Sequence, residues 1–361
     1  MTLFTHIAVM ATGDEVVNGD VINTNTHYVA QKLSDHKLNI QTHLCARDQQ
    51  QTLTQHLLYL MKHHQVIITI GGLGPTCDDL TRESISEAAQ RKLIFDEGAW
   101  QDIEKRMKGR VISPDNRQQA YFPEGSDIIK NHYGTASGCY LQTKTHIFIM
   151  LPGPPSELIP MFDQAITPRL IQTLEPDPYF HEQLLLFQTS ESQVAQTVKK
   201  AIADLPVETA YRCFTPYLQV KLKSLCPTDA AHAKRILSEH FKASLCPNHQ
   251  THKHRLLNHL SSDNHPKITI QDCATFGYLE SQLTQPNTQK NICFINHTAA
   301  TDHLFFQIEG LNEYWQNTKE TITHLIISHQ GQSQHFEVYN KANTRDVACE
   351  IACFHILNII K

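Results

Sequence analysis

No stretch of the 361 residues approaches the roughly 18 consecutive apolar residues of a membrane-spanning helix. The opening Met-Thr-Leu-Phe-Thr-His also lacks a basic region ahead of an apolar core, so a cytoplasmic protein with no membrane partner is expected. Positive charge is not in excess: a net charge of −5 and a pI near 6.5 leave no electrostatic footprint for nucleic acid. Ten cysteines are present but no Cys-x-x-Cys pair, which excludes the usual zinc spacing and argues for small buried residues of a reducing compartment. Tandem repeats and low-complexity tracts are also missing. The four histidines His249, His252, His254 and His259 fall in a polar segment, 248–266, that reads as a solvated linker.

What is there is organised around Gln65-Val-Ile-Ile-Thr-Ile-Gly-Gly-Leu-Gly-Pro-Thr-Cys-Asp-Asp-Leu-Thr-Arg-Glu83. The β-branched run at 66–70 predicts a strand buried on both faces, and Gly71, Gly72 and Gly74 predict a turn with no Cβ to block a ligand. Thr76, Asp78 and Asp79 are good N-caps for a helix carrying Ile85, Ala88, Ala89 and Leu93 on one face. Strand, glycine turn and helix start together form an anion site, because free N–H groups and the helix dipole converge there. Asp78 and Asp79 would repel a bare phosphate, so the pattern points to a cation-bridged phosphate ligand. A glycine turn capped by acids for stability alone is the plainer reading of the same residues.

The segment 6–11 predicts a first strand, followed by the acidic turn Thr12-Gly13-Asp14-Glu15 and a helix after Asn23-Thr24-Asn25. A second strand at 38–46 and a helix carrying Leu53, Leu57, Leu60 and Met61 lead back to the central strand. Strands alternating with helices imply βαβ units and a mostly parallel sheet, with ligands at the carboxyl ends of its strands. Both acidic turns follow strands, so they can meet at one rim. A further run at 146–151 ends in Pro152-Gly-Pro-Pro-Ser-Glu157, a rigid turn into a helix and a second candidate anion site at Ser156. From about Tyr179 the pattern becomes a small α+β unit to roughly 247. The last segment has strand-like runs at 268–270, 292–295 and 325–327 and a closing helix over 346–360.

Thr12-Gly-Asp-Glu15, Asn23-Thr-Asn25, the 71–83 segment, Asn116-Arg117, Gly134-Thr-Ala136 and Pro152-Gly-Pro-Pro-Ser-Glu157 together resemble the CinA family across the first 165 residues or so. Ser190-Glu-Ser-Gln193 and Tyr211-Arg212 extend the likeness. The resemblance implies a molybdopterin-binding-like three-layer α/β domain over 1–172, a small α+β KH-like domain over 178–247 and a truncated α/β nicotinamide-mononucleotide deamidase-like domain over 264–361. The middle unit carries no Gly-x-x-Gly loop or basic stripe, so nucleic-acid binding is not expected of it. In the last domain Asp272-Cys-Ala-Thr-Phe-Gly277 stands where the family has Glu-Ser-Cys-Thr-Gly-Gly. Cys273 is a candidate nucleophile there, but Phe276 replaces a glycine that lets backbone approach the substrate. Arg345 resembles a family arginine, but the deamidase is expected to be degenerate.

For the first domain the resemblance implies metal-dependent hydrolysis of an ADP-ribose-like nucleotide to AMP and ribose 5-phosphate. Asp79 and Glu15 would hold the divalent ion (Mg, Mn or Co), with Asp78 as acid or base. Gly13, Asn23, Asn25, Gly71, Gly72, Gly74, Thr76, Arg117, Gly134, Thr135, Gly153 and Ser156 would contact the nucleotide, and a homodimer is expected. Two other readings stay open: a molybdopterin- or nucleotide-binding protein without turnover, and a residual nicotinamide-nucleotide amidohydrolase.

Overall fold

A computed structural model of the chain describes residues 6–262, 267–296, 304–339 and 341–360. The expected start of the last domain at 264 lies outside them. Two compact units emerge, Met1–Pro178 and Tyr179–Lys361.

The first unit is built on a six-stranded sheet. Its order runs Ile40–Ala46, Ile7–Thr12, Val66–Ile70, Ile147–Leu151, Gly138–Gln142, Asp127–Ile129. The first four strands are parallel and the last two antiparallel, which is the mostly parallel sheet read from the sequence. Every residue of Ile7–Thr12, Val66–Ile70 and Ile147–Leu151 is buried, so these strands tolerate no polar alternation. Alternate residues feed two cores: Val9, Ile68 and Ile149 face one, against Val29, Leu33 and Phe162. Met10, Ile67 and Phe148 face the other, against Leu53, Leu57, Leu60 and Ile85. Each such fully buried side chain contributes about 1.5–3 kcal/mol. Helices on both faces complete the three layers.

Local chemistry sets the helix starts, with one correction. Asn23 caps Thr24–Asp35 by accepting from Thr26 N at 3.0 Å, and Asp96 caps Glu97–Arg106 through Ala99 N at 2.7 Å. The helix after the glycine bend begins later than its caps suggest. It spans Thr81–Ala88 with Leu80 at the cap position and no side-chain cap bond, because Asp79 is drawn back into the bend.

The second unit holds a three-stranded antiparallel sheet, ordered Glu208–Phe214, Tyr217–Ser224, Phe180–Phe187, with the helices Glu191–Ala201 and Pro227–His240. It also holds a five-stranded mixed sheet, ordered Ile292–Phe294, Ile268–Asp272, Leu304–Gly310, Ile322–His329, Gln332–Tyr339, and the closing helix Thr344–Ile360. The segment expected as a solvated linker is instead a helix, His252–Leu260, whose His252, Leu256 and Leu260 are buried. His252 stacks on Tyr217, whose hydroxyl also donates to Glu350 Oε2 at 2.7 Å. The polar composition hid a helix in which every fourth residue points inward. Among the described residues no helix is long and apolar enough to cross a membrane.

Candidate functional site

Four loops leave the carboxyl ends of adjacent parallel strands in the first unit and converge on one cleft of about 330 Å³. Backbone bonds pin their starts: Gly13 N donates to Ala46 O at 3.1 Å, and Gly71 N donates to Leu151 O at 2.9 Å. The glycines at the bend are dictated by space as well as conformation. Gly71 has φ +100° and a Cβ there would lie 2.7 Å from Thr12 O; Gly72 has φ +65° and a Cβ there would run into the Thr81 hydroxyl.

The bend is tied from below. The Thr81 hydroxyl donates to Gly71 O at 2.9 Å, while the Arg82 guanidinium donates to Leu73 O at 2.8 Å and Gly74 O at 2.9 Å. Gln119 Nε2 reaches Leu73 O at 3.3 Å and Gln118 Nε2 reaches Thr76 O at 3.0 Å. Arg82 is fully buried, and burial pushes its pKa down, with Glu83 and Asp79 acting to restore it. From above, Asp79 accepts from Gly74 N at 2.7 Å, Thr76 N at 2.9 Å and the Thr76 hydroxyl at 2.5 Å. The amides expected to meet a phosphate at Gly74 and Thr76 are thus held by Asp79, and that at Gly71 by Leu151.

The walls bring together Gly13, Glu15, Gly71, Gly72, Gly74, Thr76, Asp78, Asp79 and Gly153 from the sequence reading. Glu15 and Asp79, from different loops, share this cleft. Asn25 stands beside it, donating from Nδ2 to Gly153 O at 2.5 Å. Asn23 is occupied as a helix cap, and Thr135 accepts from Gln119 Nε2 at 3.3 Å. Gly134 leaves room for the Glu157 carboxylate, which a Cβ would strike. Ser156 is exposed and outside the walls; its neighbour Glu157 lines them instead. The Arg117 guanidinium lies 4.5 Å above the Phe95 ring, away from the walls.

Sequence reasoning missed Asp48 and Arg82, and placed Glu157 only at the helix start beside Ser156. Asp48 lies in the cleft wall and accepts from Asp14 N at 3.1 Å. Burial raises its pKa to about 6; the bond from Asp14 N opposes this, and the charges of Glu15, Asp14 and Asp78 add to it. Glu157 is oriented by Asn131 Nδ2 at 2.6 Å. The walls carry five carboxylates, Glu15, Asp48, Asp78, Asp79 and Glu157, and no lysine, arginine or histidine. Among the described residues no group of three or more His, Cys, Asp or Glu is placed to hold a metal by itself.

The bend at 272–277 in the second unit is differently furnished. Asp272 accepts from Ala274 N at 3.2 Å, Thr275 N at 2.8 Å and the Thr275 hydroxyl. Phe276 is 72% exposed with φ +51° and stands edge-on to Trp315 at 4.9 Å. Arg345 lies over Tyr278 at 5.0 Å and Trp315 at 5.7 Å. The Cys273 thiol is pushed up by burial and then by the charges of Glu309 and Asp272, the reverse of an activated nucleophile.

Residues 8–172 match the family described as Probable molybdopterin binding domain, so the first unit is a domain of that class. A putative competence-damage inducible protein of Acetivibrio thermocellus is 29% identical over 322 residues, 85% of this chain and 77% of that protein. A CinA-like protein of Kosmotoga olearia is 35% identical over 196 residues, 54% of this chain. A Clostridium tetani relative is 38% identical over 164 residues, 45% of this chain. The chain spans less than half the length of these last two, 47% and 40%. A crystal structure described as the protein CinA with unknown function, from Thermoplasma acidophilum, covers 44% of this chain and 95% of its own at 26% identity and a TM-score of 0.43. On these sequence likenesses the chain is similar to CinA-like and competence-damage inducible proteins, and its residues 8–172 match the molybdopterin-binding family.

Proposed function

We propose that the first unit hydrolyses a nucleotide diphosphate of the ADP-ribose type, yielding AMP and ribose 5-phosphate, and that the diphosphate enters as its divalent-metal complex. The observation that carries this reading is the wall of five carboxylates without a single cationic side chain. A free diphosphate would be repelled from it. The donor set fits an ion of the magnesium type, which binds through one or two carboxylates and takes its remaining ligands from phosphate and water. Glu15 and Asp78 are the residues to hold it, since Asp79 is committed to the bend. When bound, the ion screens phosphate charge and acidifies a bound water.

The chain's own residues do the rest. Gly71 and Gly72 let the diphosphate approach the backbone. Asp48, raised to about 6, is suited to taking a proton from the attacking water near neutrality as the phosphorus–oxygen bond to the leaving phosphate breaks. Glu157, oriented by Asn131, is an acceptor for sugar hydroxyls.

Incubating the full chain with ADP-ribose and Mg, Mn or Co should release AMP in a cation-dependent way, and Glu15→Gln should abolish release without altering the melting temperature. Silence with all three ions, with nucleotide or pterin retained, would favour the binding reading instead. That second reading draws support from one observation, the hold of Asp79 on the Gly74 and Thr76 amides. The raised Cys273 thiol supports no amidohydrolase step in the second unit.

A further inference from the structure

The bend at 131–134 serves a second recess in the first unit. Asn131 is buried and fully engaged: Nδ2 donates to Ala136 O at 3.0 Å and to Glu157, while Oδ1 accepts from Tyr133 N at 2.9 Å and Gly134 N at 2.8 Å. Arg106 steadies the same bend by donating to His132 O at 2.6 Å. Glu157 belongs to the acidic cleft, but Lys130, His132 and Tyr133 line a different cavity of about 250 Å³.

Its charge is opposite to that of the cleft. Three basic side chains, Lys130, His132 and Arg169, lie in its walls and no carboxylate does; the remainder is mostly apolar, with Pro160 and Met161 among it. The acids that pair with the cations stand outside the walls. Lys130 Nζ meets Asp102 at 2.9 Å and Arg169 Nη1 meets Asp127 at 3.0 Å, both as solvated pairs. Such solvated pairs contribute little and yield readily to a competing anion. Arg169 is also braced over the Tyr140 ring at 5.2 Å, so less freedom is lost when it binds.

The opposite wall has an uncommon backbone. Gln164 and Ala165 sit in a π-helical turn, Phe162–Ile166, lying between Pro160 and Pro168. Pro160 removes one amide of the preceding turn, and the Pro168 ring crowds the carbonyl four residues before it, at Gln164. Widened turns of this kind concentrate at functional sites.

We propose that this recess is a second ligand site, distinct from the acidic cleft, for a small organic anion whose phosphate meets Lys130, His132 and Arg169 while its apolar or aromatic body lies on Pro160, Met161 and Tyr133. It does not depend on the first unit being a hydrolase. The test titrates the full chain with phenyl phosphate, inorganic phosphate and phenol by calorimetry, in chelator so that the acidic cleft can hold no bridged phosphate. Phenyl phosphate should bind with a Kd below about 1 mM, at least about tenfold tighter than either half alone. Lys130→Gln and the double variant Lys130→Gln/Arg169→Gln should weaken it by about threefold and more than about tenfold, with unchanged melting. Lys130 is exposed, so the single variant reports even if the double one folds poorly. Phenyl phosphate binding no tighter than inorganic phosphate, or binding that survives in Lys130→Gln at full strength, would overturn the assignment.

Discussion

Two bends in this chain use the same device to opposite effect. Asp79 and Asp272 each gather two backbone amides and a threonine hydroxyl downstream of a buried strand, fixing the turn into a helix. At the first bend Gly71 and Gly72, both at positive φ, precede the stapled turn, and a cleft opens beside them. At the second, Phe276 follows the stapled turn at φ +51° and stands edge-on to Trp315, over whose ring Arg345 lies. An aspartate staple therefore makes a bend, not a site; what distinguishes the two is the residue at positive φ beside the staple, glycine at one and phenylalanine at the other.

The largest effect should come from giving the first bend the character of the second. Gly72→Val places a branched side chain at φ +65° against the hydroxyls of Thr81 and Thr12, and should cost about 3 kcal/mol in urea unfolding and remove nucleotide binding. Releasing either staple should have the next largest effect. Asp79→Ala and Asp272→Ala should each cost about 2 kcal/mol by the same measurement, and a loss confined to one would end the analogy between the two bends.

A smaller, pH-dependent effect distinguishes the acidic cleft. The pKa of Asp48 is raised in the folded state to about 6, so the native protein binds its proton more tightly than the unfolded chain does. Stability from this group is present when it is protonated and declines as pH rises from about 4 through 6. Asp48→Asn should therefore stabilise by about 1 kcal/mol at pH 7.5, allowing for solvent screening, and by almost nothing at pH 4. Thermal melts at the two pH values check the sign; a stabilisation larger at pH 4 would reverse it. Least of all should come from Phe276→Gly, which relieves strain but loses the Trp315 contact. A net change within about 1 kcal/mol and no amide hydrolysis are expected, and gain of hydrolysis would show that Phe276 alone blocks the second bend.

The first bend was legible because its determinants are local. Glycine spacing, the β-branched strand and the paired acids lie within twenty residues, and the parallel order of the sheet followed from alternating elements. Asp48 was missed since its role depends on a neighbouring strand that delivers it beside Glu15, and nothing in Arg47-Asp48-Gln49 marks it. Arg82 reads as a surface helix residue until the bend's inward carbonyls are seen. Ser156 and Arg117 show the converse error: a motif places a residue near a site without deciding which way its side chain turns. The helix His252–Leu260 escaped notice because a histidine buried against Tyr217 counts as polar in composition.

Arg82 separates two properties of the cleft that would otherwise vary together. A guanidinium keeps its proton across the range of acidity a cell encounters, even sealed beneath a loop, so the carbonyls it clasps stay where they are. Asp48 at the surface of the same wall changes charge near pH 6. The contour presented to a visitor is thus constant while the negative charge along it is lessened by mild acid.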